Sequence, residues 1–313
     1  MKRLIALAGL AALLVPGLAQ ADIFEKVGTF GGQFLKIGVG ARGAGMGGAF
    51  VAMADDATAV FWNAAGIARI DPEKSQLSMN HANWPADLSF DQVGYVFHMK
   101  KIPGAFAVHA RALTMQPMEE TTAFQPFGTG KTFDAGMLAA GVTYARSFTD
   151  KFSAGLTANM IHTGLADLSQ QTFSVDLGTL YDVGAAGMKI GMAIQNIGST
   201  EKFIEREARI PSIFRVGTSV TLLQGADQKL IGSFEFSHPP DNSERVNVGG
   251  EYSFRKYLFL RGGYAFNYDS EGVAGGVGFH FPVSIAGMAD LDYSYTDMLD
   301  LGASHRFSMR FQF

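Results

Sequence analysis

The chain of 313 residues contains no cysteine. That excludes disulfide staples, Cys-ligated metals and a lipid-modified N-terminal Cys, so stability must come from packing and closure of the fold. Charge is sparse, at 17% of residues. Beyond the N-terminal segment no apolar run is long enough to cross a bilayer as a helix. Yet 47% of residues are hydrophobic and the mean hydropathy is +0.11. A chain this apolar without long apolar runs must spread its apolar residues in alternation, as the strands of a membrane barrel do.

Met1-Lys2-Arg3 is a short basic stretch, Leu4 to Val15 is apolar, and Ala19-Gln20-Ala21 supplies a small-x-small cleavage site. This pattern predicts a signal peptide over 1–21 and export. Without Lys2 and Arg3 the chain keeps 23 basic against 29 acidic side chains, a net charge of −6. That balance argues against a nucleic-acid partner.

The last residues carry the clearest pattern. Leu301, Ala303, His305, Phe307, Met309, Phe311 and Phe313 alternate with Gly302, Ser304, Arg306, Ser308, Arg310 and Gln312. A period of two over that length is one strand with an apolar face and a polar, charged face. It fits the closing strand of an outer-membrane β-barrel, and equally the edge of a soluble sandwich. Comparable segments recur near 75–82, 87–98, 104–116, 134–148, 152–164, 169–184, 188–197, 213–224, 228–237, 245–254, 257–267, 272–281, 285–295 and 300–313. Arg215, Arg245, Glu251, Asp290, Asp292, Arg306 and Arg310 all fall on the polar faces and are predicted to line a lumen.

The connections separate barrel from sandwich. Every second one is short, as in Lys100-Lys101-Ile102-Pro103, Arg255-Lys256 and Pro282-Val283, whereas the long ones (117–133, 198–212, 238–244) all have the other parity. Outer-membrane barrels have short periplasmic turns and long external loops. Aromatics gather where interfacial belts belong: Phe148, Phe152, Tyr252, Phe254, Phe311 and Phe313 at one end, Tyr268, Tyr293 and Tyr295 at the other. The expectation is an all-β, about 14-stranded antiparallel barrel over 75–313. The glycine-dense stretch 22–74 forms an N-terminal plug with a short helix capped by Asp55 and Asp56. Phe311 and Phe313 form the signal that barrel-assembly machinery reads.

Catalytic and cofactor motifs do not hold up. Gly38-Val-Gly40-Ala-Arg-Gly43 matches G-x-G-x-x-G without the βαβ unit that the fingerprint requires. Gly128-Thr-Gly130-Lys131-Thr132 sits in a loop without the strand and helix of a P-loop. The seven histidines lack metal-ligand spacing. No cofactor, metal or enzyme activity is expected.

The segment from Gly32 to Val51, continuing through Asp55-Asp56-Ala-Thr-Ala-Val-Phe-Trp62-Asn63-Ala64-Ala65-Gly66-Ile-Ala68, resembles the PorV/PorQ family, relatives of the FadL-like outer-membrane barrels. The motif covers about forty residues. Where that family has Asn-Pro-Ala-Gly, this chain has Ala64, which relaxes φ at one position. The resemblance implies a hatch-gated barrel with Asp55, Asp56, Trp62, Asn63 and Gly66 in the hatch. It implies either passage of a hydrophobic small molecule or, as in type IX secretion, binding of secreted protein. The 117–133 loop, with Met115, Met118, Phe124 and Phe127, is either a sticky external surface or a lid on its own barrel. The expected partners are outer-membrane lipid, a hydrophobic ligand or secreted protein, and the assembly machinery. Asp55 and Asp56 either latch the hatch to Arg215, Arg306 or Arg310, or only cap the helix.

Overall fold

The computed structural model describes residues 28–203, 206–283 and 287–313, so the predicted signal segment and Ile285 lie outside the described residues. Fourteen strands close into a single antiparallel barrel. They are β1 (Gln76–Trp84), β2 (Leu88–Met99), β3 (Ile102–Thr114), β4 (Ala135–Ser147), β5 (Phe152–Leu165), β6 (Leu168–Asp182) and β7 (Lys189–Gly198). The second half comprises β8 (Ile213–Gln224), β9 (Gln228–His238), β10 (Arg245–Phe254), β11 (Leu258–Phe266), β12 (Val273–Val283), β13 (Gly287–Asp297) and β14 (Ala303–Gln312). Each strand pairs with its neighbours in sequence, and β1 meets β14 with Gln76 opposite Gln312 and Asn83 opposite His305. That last pairing removes the free edge. Backbone bonds between Ser75 and Phe313, at 3.0 and 3.2 Å, fasten the C-terminus at the seam.

The period-two pattern fixes which face points inward. On β10, Val248 is 42% exposed while Asn247 and Glu251 are buried. On β14, Phe307 and Met309 face out, and Ser304, Arg306 and Ser308 face in. The lumen is therefore polar and the outer wall mostly apolar, the partition a bilayer demands, with the half-exposed His81–Asp91 pair of β1 and β2 as an outward-facing exception.

Four details differ from the sequence reading. The last strand begins at Ala303, because Leu299–Leu301 makes a 3-10 turn closed by Met298 N–H donating to the Gly302 carbonyl at 2.8 Å. Pro282 and Val283 are not a turn; they still pair with Met288 and Gly287. The long loops carry small ribbons of their own, Met118–Glu119 with Thr132–Phe133 and Thr200–Phe203 with Arg206–Arg209. Tyr268 does not join an outer belt: its hydroxyl donates to inward-facing Asn247 at 3.2 Å.

Residues 33–70 occupy the interior as a chain of short helical turns: Gln33–Lys36, Ala41–Gly45, Ala57–Phe61 and Ala64–Arg69. Their apolar side chains, Phe34, Val39, Met46, Phe50, Trp62 and Ile67, join Phe90, Val96, Ala107 and Ile161 of the wall in one buried core. Glycine on both partners permits this approach. A Cβ on wall residue Gly178 would lie 2.2 Å from Asn63 Oδ1, and one on hatch residue Gly45 3.2 Å from Gly276 Cα of β12; within the hatch, one on Gly66 would lie 2.1 Å from the Ala54 carbonyl. Gly47, at φ +63°, turns its backbone against Gly263 and Tyr264 of β11, where a side chain would be both strained and blocked.

Candidate functional site: the hatch and its anchors

The hatch has little regular secondary structure, so its backbone polar groups need partners from the wall. The wall supplies them as side chains. Glu235 of β9, fully buried, accepts from Phe50 N–H at 2.9 Å and Val51 N–H at 2.8 Å. The same carboxylate accepts from Arg215 at 2.8 Å, and Arg215 also donates to Gln195 at 3.0 Å. Gln195 in turn donates to the Phe61 carbonyl at 2.8 Å. Asn247 donates to the Gly47 carbonyl at 2.6 Å, Ser308 Oγ accepts from Ala41 N–H at 2.7 Å, and Arg111 donates to the Leu35 carbonyl at 3.1 Å.

Arg42 is the electrostatic hub. It donates to Glu251 at 2.9 and 3.1 Å, to Asp55 at 2.7 Å and to Asp56 at 2.8 Å. Asp56 also pairs with Arg310 of β14 at 2.5 Å, and Arg310 with Asp290 of β13 at 2.8 Å. Glu251 continues the chain to Arg261 at 2.8 Å, which reaches Asp292 at 2.5 Å. One connected network thus joins the hatch to β10, β11, β13 and β14.

The predicted residues divide accordingly. Asp56 is the N-cap of Ala57–Phe61, accepting from Thr58 N–H at 2.9 Å, and it also bonds the guanidinium groups of Arg42 and Arg310. Asp55, with 37% of its side chain exposed, forms an ion pair only with Arg42 among the described residues. Of the three arginines expected to receive these acids, only Arg310 does. Arg215 is held by Glu235, and its guanidinium lies 5.5 Å from the Trp62 ring centre. Arg306 donates to Thr296 at 2.7 Å, lies over Trp84, and forms no ion pair among the described residues. Arg245 stacks on Tyr268 at 4.3 Å. Trp62 donates to the Val39 carbonyl at 2.8 Å and packs edge-on to Phe50. Asn63 caps Ala64–Arg69, accepting from Ala65 N–H at 3.2 Å while donating to the carbonyls of Val51 and Thr179, both at 2.9 Å. Phe311 and Phe313 lie at the seam, away from the hatch.

Arg42, Glu235 and Gln195 were missed. Arg42 is one of only two cations between residues 31 and 68; the other, Lys36, bonds Asp241 at 2.8 Å. A lone cation in an apolar, glycine-rich segment was the available signal. Burial lowers the Lys36 pKa, with Asp241 opposing. For Arg42 burial also opposes charge, but Glu251, Asp55 and Asp56 outweigh it and hold the guanidinium protonated. For Asp56 burial alone would raise the pKa; Arg310 and Arg42 overcome it and hold the carboxyl well below the usual carboxylate range. A folded-state pKa below the ordinary value of about 4 keeps these ion pairs fully formed above about pH 4. Their contribution is lost only as pH falls through the depressed value. Acrylamide quenching of Trp62 fluorescence, read in a Trp84→Phe background, is therefore expected to stay flat from about pH 7 to about pH 4 and to rise only in stronger acid. A rise already near pH 6 would contradict this assignment.

Two cavities enclosed between the hatch and the wall are small. One, lined by Lys36, Trp62, Arg215, Tyr268, Glu271 and Arg306, measures about 30 Å³; the other, beside Arg42, Asp56 and Arg310, about 10 Å³. Neither holds more than about one water. An open cleft of about 490 Å³ lies at the outer wall beside Met79, Val93, Leu138, Phe307 and Met309, and its lining includes the His81–Asp91 ion pair.

A closed antiparallel barrel of fourteen strands with short helical turns from the N-terminal segment matches the FadL-type barrels. Similar solved structures include the CymD monoaromatic hydrocarbon channel, at a TM-score of 0.60 and 13% identity, covering 88% of this chain and 96% of that one. They include the Ralstonia pickettii toluene transporter TbuX (TM-score 0.59, 14% identity, 88% and 98% covered) and a Pseudomonas aeruginosa FadL homologue (0.58, 13%, 88% and 98%). No protein-family model matches the chain, and no curated protein matches it. The structural likeness is to FadL-type barrels; the narrower PorV/PorQ resemblance rests on the hatch motif alone.

Proposed function

We propose that this chain is a non-enzymatic outer-membrane channel of Gram-negative-type bacteria, in which a hydrophobic small molecule passes the lumen when the hatch shifts. The carrying observation is a hatch that fills the lumen and is fastened by polar anchors as well as by its apolar core. The two enclosed cavities beside it fall far below the roughly 150 Å³ of an apolar cavity that binds benzene, which supports passage by movement of the hatch. The mostly apolar outer wall supports a membrane setting, and the structural likeness to a monoaromatic hydrocarbon channel and a toluene transporter supports the cargo class. The end carrying Ser75 and Phe313 then faces the periplasm, where the exposed terminal Phe313 is available to assembly machinery.

The test is uptake of a monoaromatic hydrocarbon such as toluene into vesicles or cells with and without the protein. Faster entry with the protein supports the reading, and equal entry opposes it. The secretion alternative draws on one observation, that Phe124 and Phe127 are 96% and 97% exposed at the tip of the 117–133 loop. These rings do not pack on the barrel as a lid. Removing the loop tip while retaining hydrocarbon uptake would separate a partner-binding role from the channel.

A further inference from the structure

The two ends of the barrel differ in the charge of their turns. At the end carrying Ser75 and Phe313, the β2–β3 turn presents Lys100 and Lys101 next to Lys74, His98 and Arg146. Together they line a groove of about 1000 Å³ between that turn and the 72–75 segment leading into β1, in which Glu73 is the one acidic lining residue. Lys100 and Lys101 form no ion pair among the described residues. Lys74 approaches Asp71 only at 3.9 Å, with both side chains about half exposed, so that pair binds weakly. Arg146 lies over the Phe148 ring at 5.8 Å, which leaves its edge N–H groups available. The basic turn at Arg255-Lys256 is different, because Arg255 there has Asp227 at 3.5 Å.

Above the groove the outer wall carries a continuous ladder of rings. Tyr95 and Phe97 have centroids 5.7 Å apart, Phe97 and Phe106 5.9 Å, and Phe106 and Tyr144 5.0 Å. Tyr144 donates to the Pro103 carbonyl at 2.8 Å and so ties the ladder to the basic turn. Met99 and Ile102, 42% and 46% exposed, extend the apolar surface down to the lysines. Aromatic rings favour the headgroup level, and cations just beyond them meet lipid phosphates.

We propose that this groove binds the headgroup phosphate of an anionic phospholipid of the inner leaflet, with the acyl chains lying along the Tyr95–Phe97–Phe106–Tyr144 ladder. A soluble acidic ligand would use the lysines but would have no use for the ladder leading into them. The proposal rests on the membrane-barrel reading, yet its test does not use transport, so the two can fail separately. The full chain purified from membranes in detergent is titrated with phosphatidylglycerol or with phosphatidylcholine of the same acyl chains, and retained lipid is read by native mass spectrometry. Phosphatidylglycerol should be retained at least about tenfold better. K100Q/K101Q/R146Q should abolish that preference and K100R/K101R should keep it, each checked for heat-modifiable mobility on a gel. Inorganic phosphate should not displace the lipid. Equal retention of the two lipids by the wild-type chain would overturn the proposal, and this arm decides alone if the triple variant fails to assemble. Unchanged preference in a folded triple variant, or displacement by inorganic phosphate, would overturn it as well.

Discussion

Arg42→Met should raise the open probability of the reconstituted channel strongly while the barrel still inserts and runs as a folded species. Arg42 contacts three carboxylates, and the connected network holds Arg42, Arg261 and Arg310 against Asp55, Asp56, Glu251, Asp290 and Asp292. Removing one of three cations leaves buried acids facing one another. Breaking a buried pair from one side costs about 3–5 kcal/mol. The hatch bears that cost, because the strand hydrogen bonds that close the barrel do not involve Arg42. Asp55→Ala should be mild by comparison, since Asp55 is partly exposed and forms an ion pair only with Arg42 among the described residues. Planar-bilayer recordings of the two variants check this; equal effects, or no effect from Arg42→Met in inserted protein, would contradict the hub assignment.

Val248→Arg and Asn247→Arg should damage the protein in different ways. Val248 faces outward from β10, and a cation there costs about 2–4 kcal/mol near the bilayer midplane, less toward the interfaces. The expected result is loss of inserted, heat-modifiable protein. Asn247 faces the lumen, where its amide bonds the Gly47 carbonyl and lies 3.1 Å from where a Cβ on Gly48 would be. An arginine there presses on the Gly47–Gly48 turn, so the barrel should insert normally and leak. Normal insertion of Val248→Arg would mean that the faces of β10 are reversed.

Much of this architecture was legible because alternation is a local signal. Val246-Asn247-Val248 or Phe307-Ser308-Met309 each declares its own inward and outward faces, and loop parity then orders the strands. The hatch contacts were less legible, because they join residues about 200 apart in sequence, such as Arg42 with Glu251 and Gly47 with Asn247. Alternation shows that Arg215, Arg306 and Arg310 all point inward but not which level of the hatch each one meets. Arg215 was therefore matched to the wrong acid: Glu235 lies opposite Gly217, one inward step away, and captures it first. Tyr268 followed a similar course, since a tyrosine near a strand end fits a belt until Arg245 and Asn247 draw it inward.

The central claim is that passage requires the hatch to move, and the absence of natural cysteine makes it directly testable. A Cβ on Gly45 of the hatch would stand 3.4 Å from Cβ of Ser294 on β13, close to the spacing a disulfide needs. The measurement is hydrocarbon uptake by the Gly45→Cys/Ser294→Cys variant, compared between its oxidised and reduced forms in the same vesicles. The account predicts that the oxidised form is closed to hydrocarbon and that reduction restores entry. Equal entry in both forms, with the disulfide shown to be complete, would contradict it.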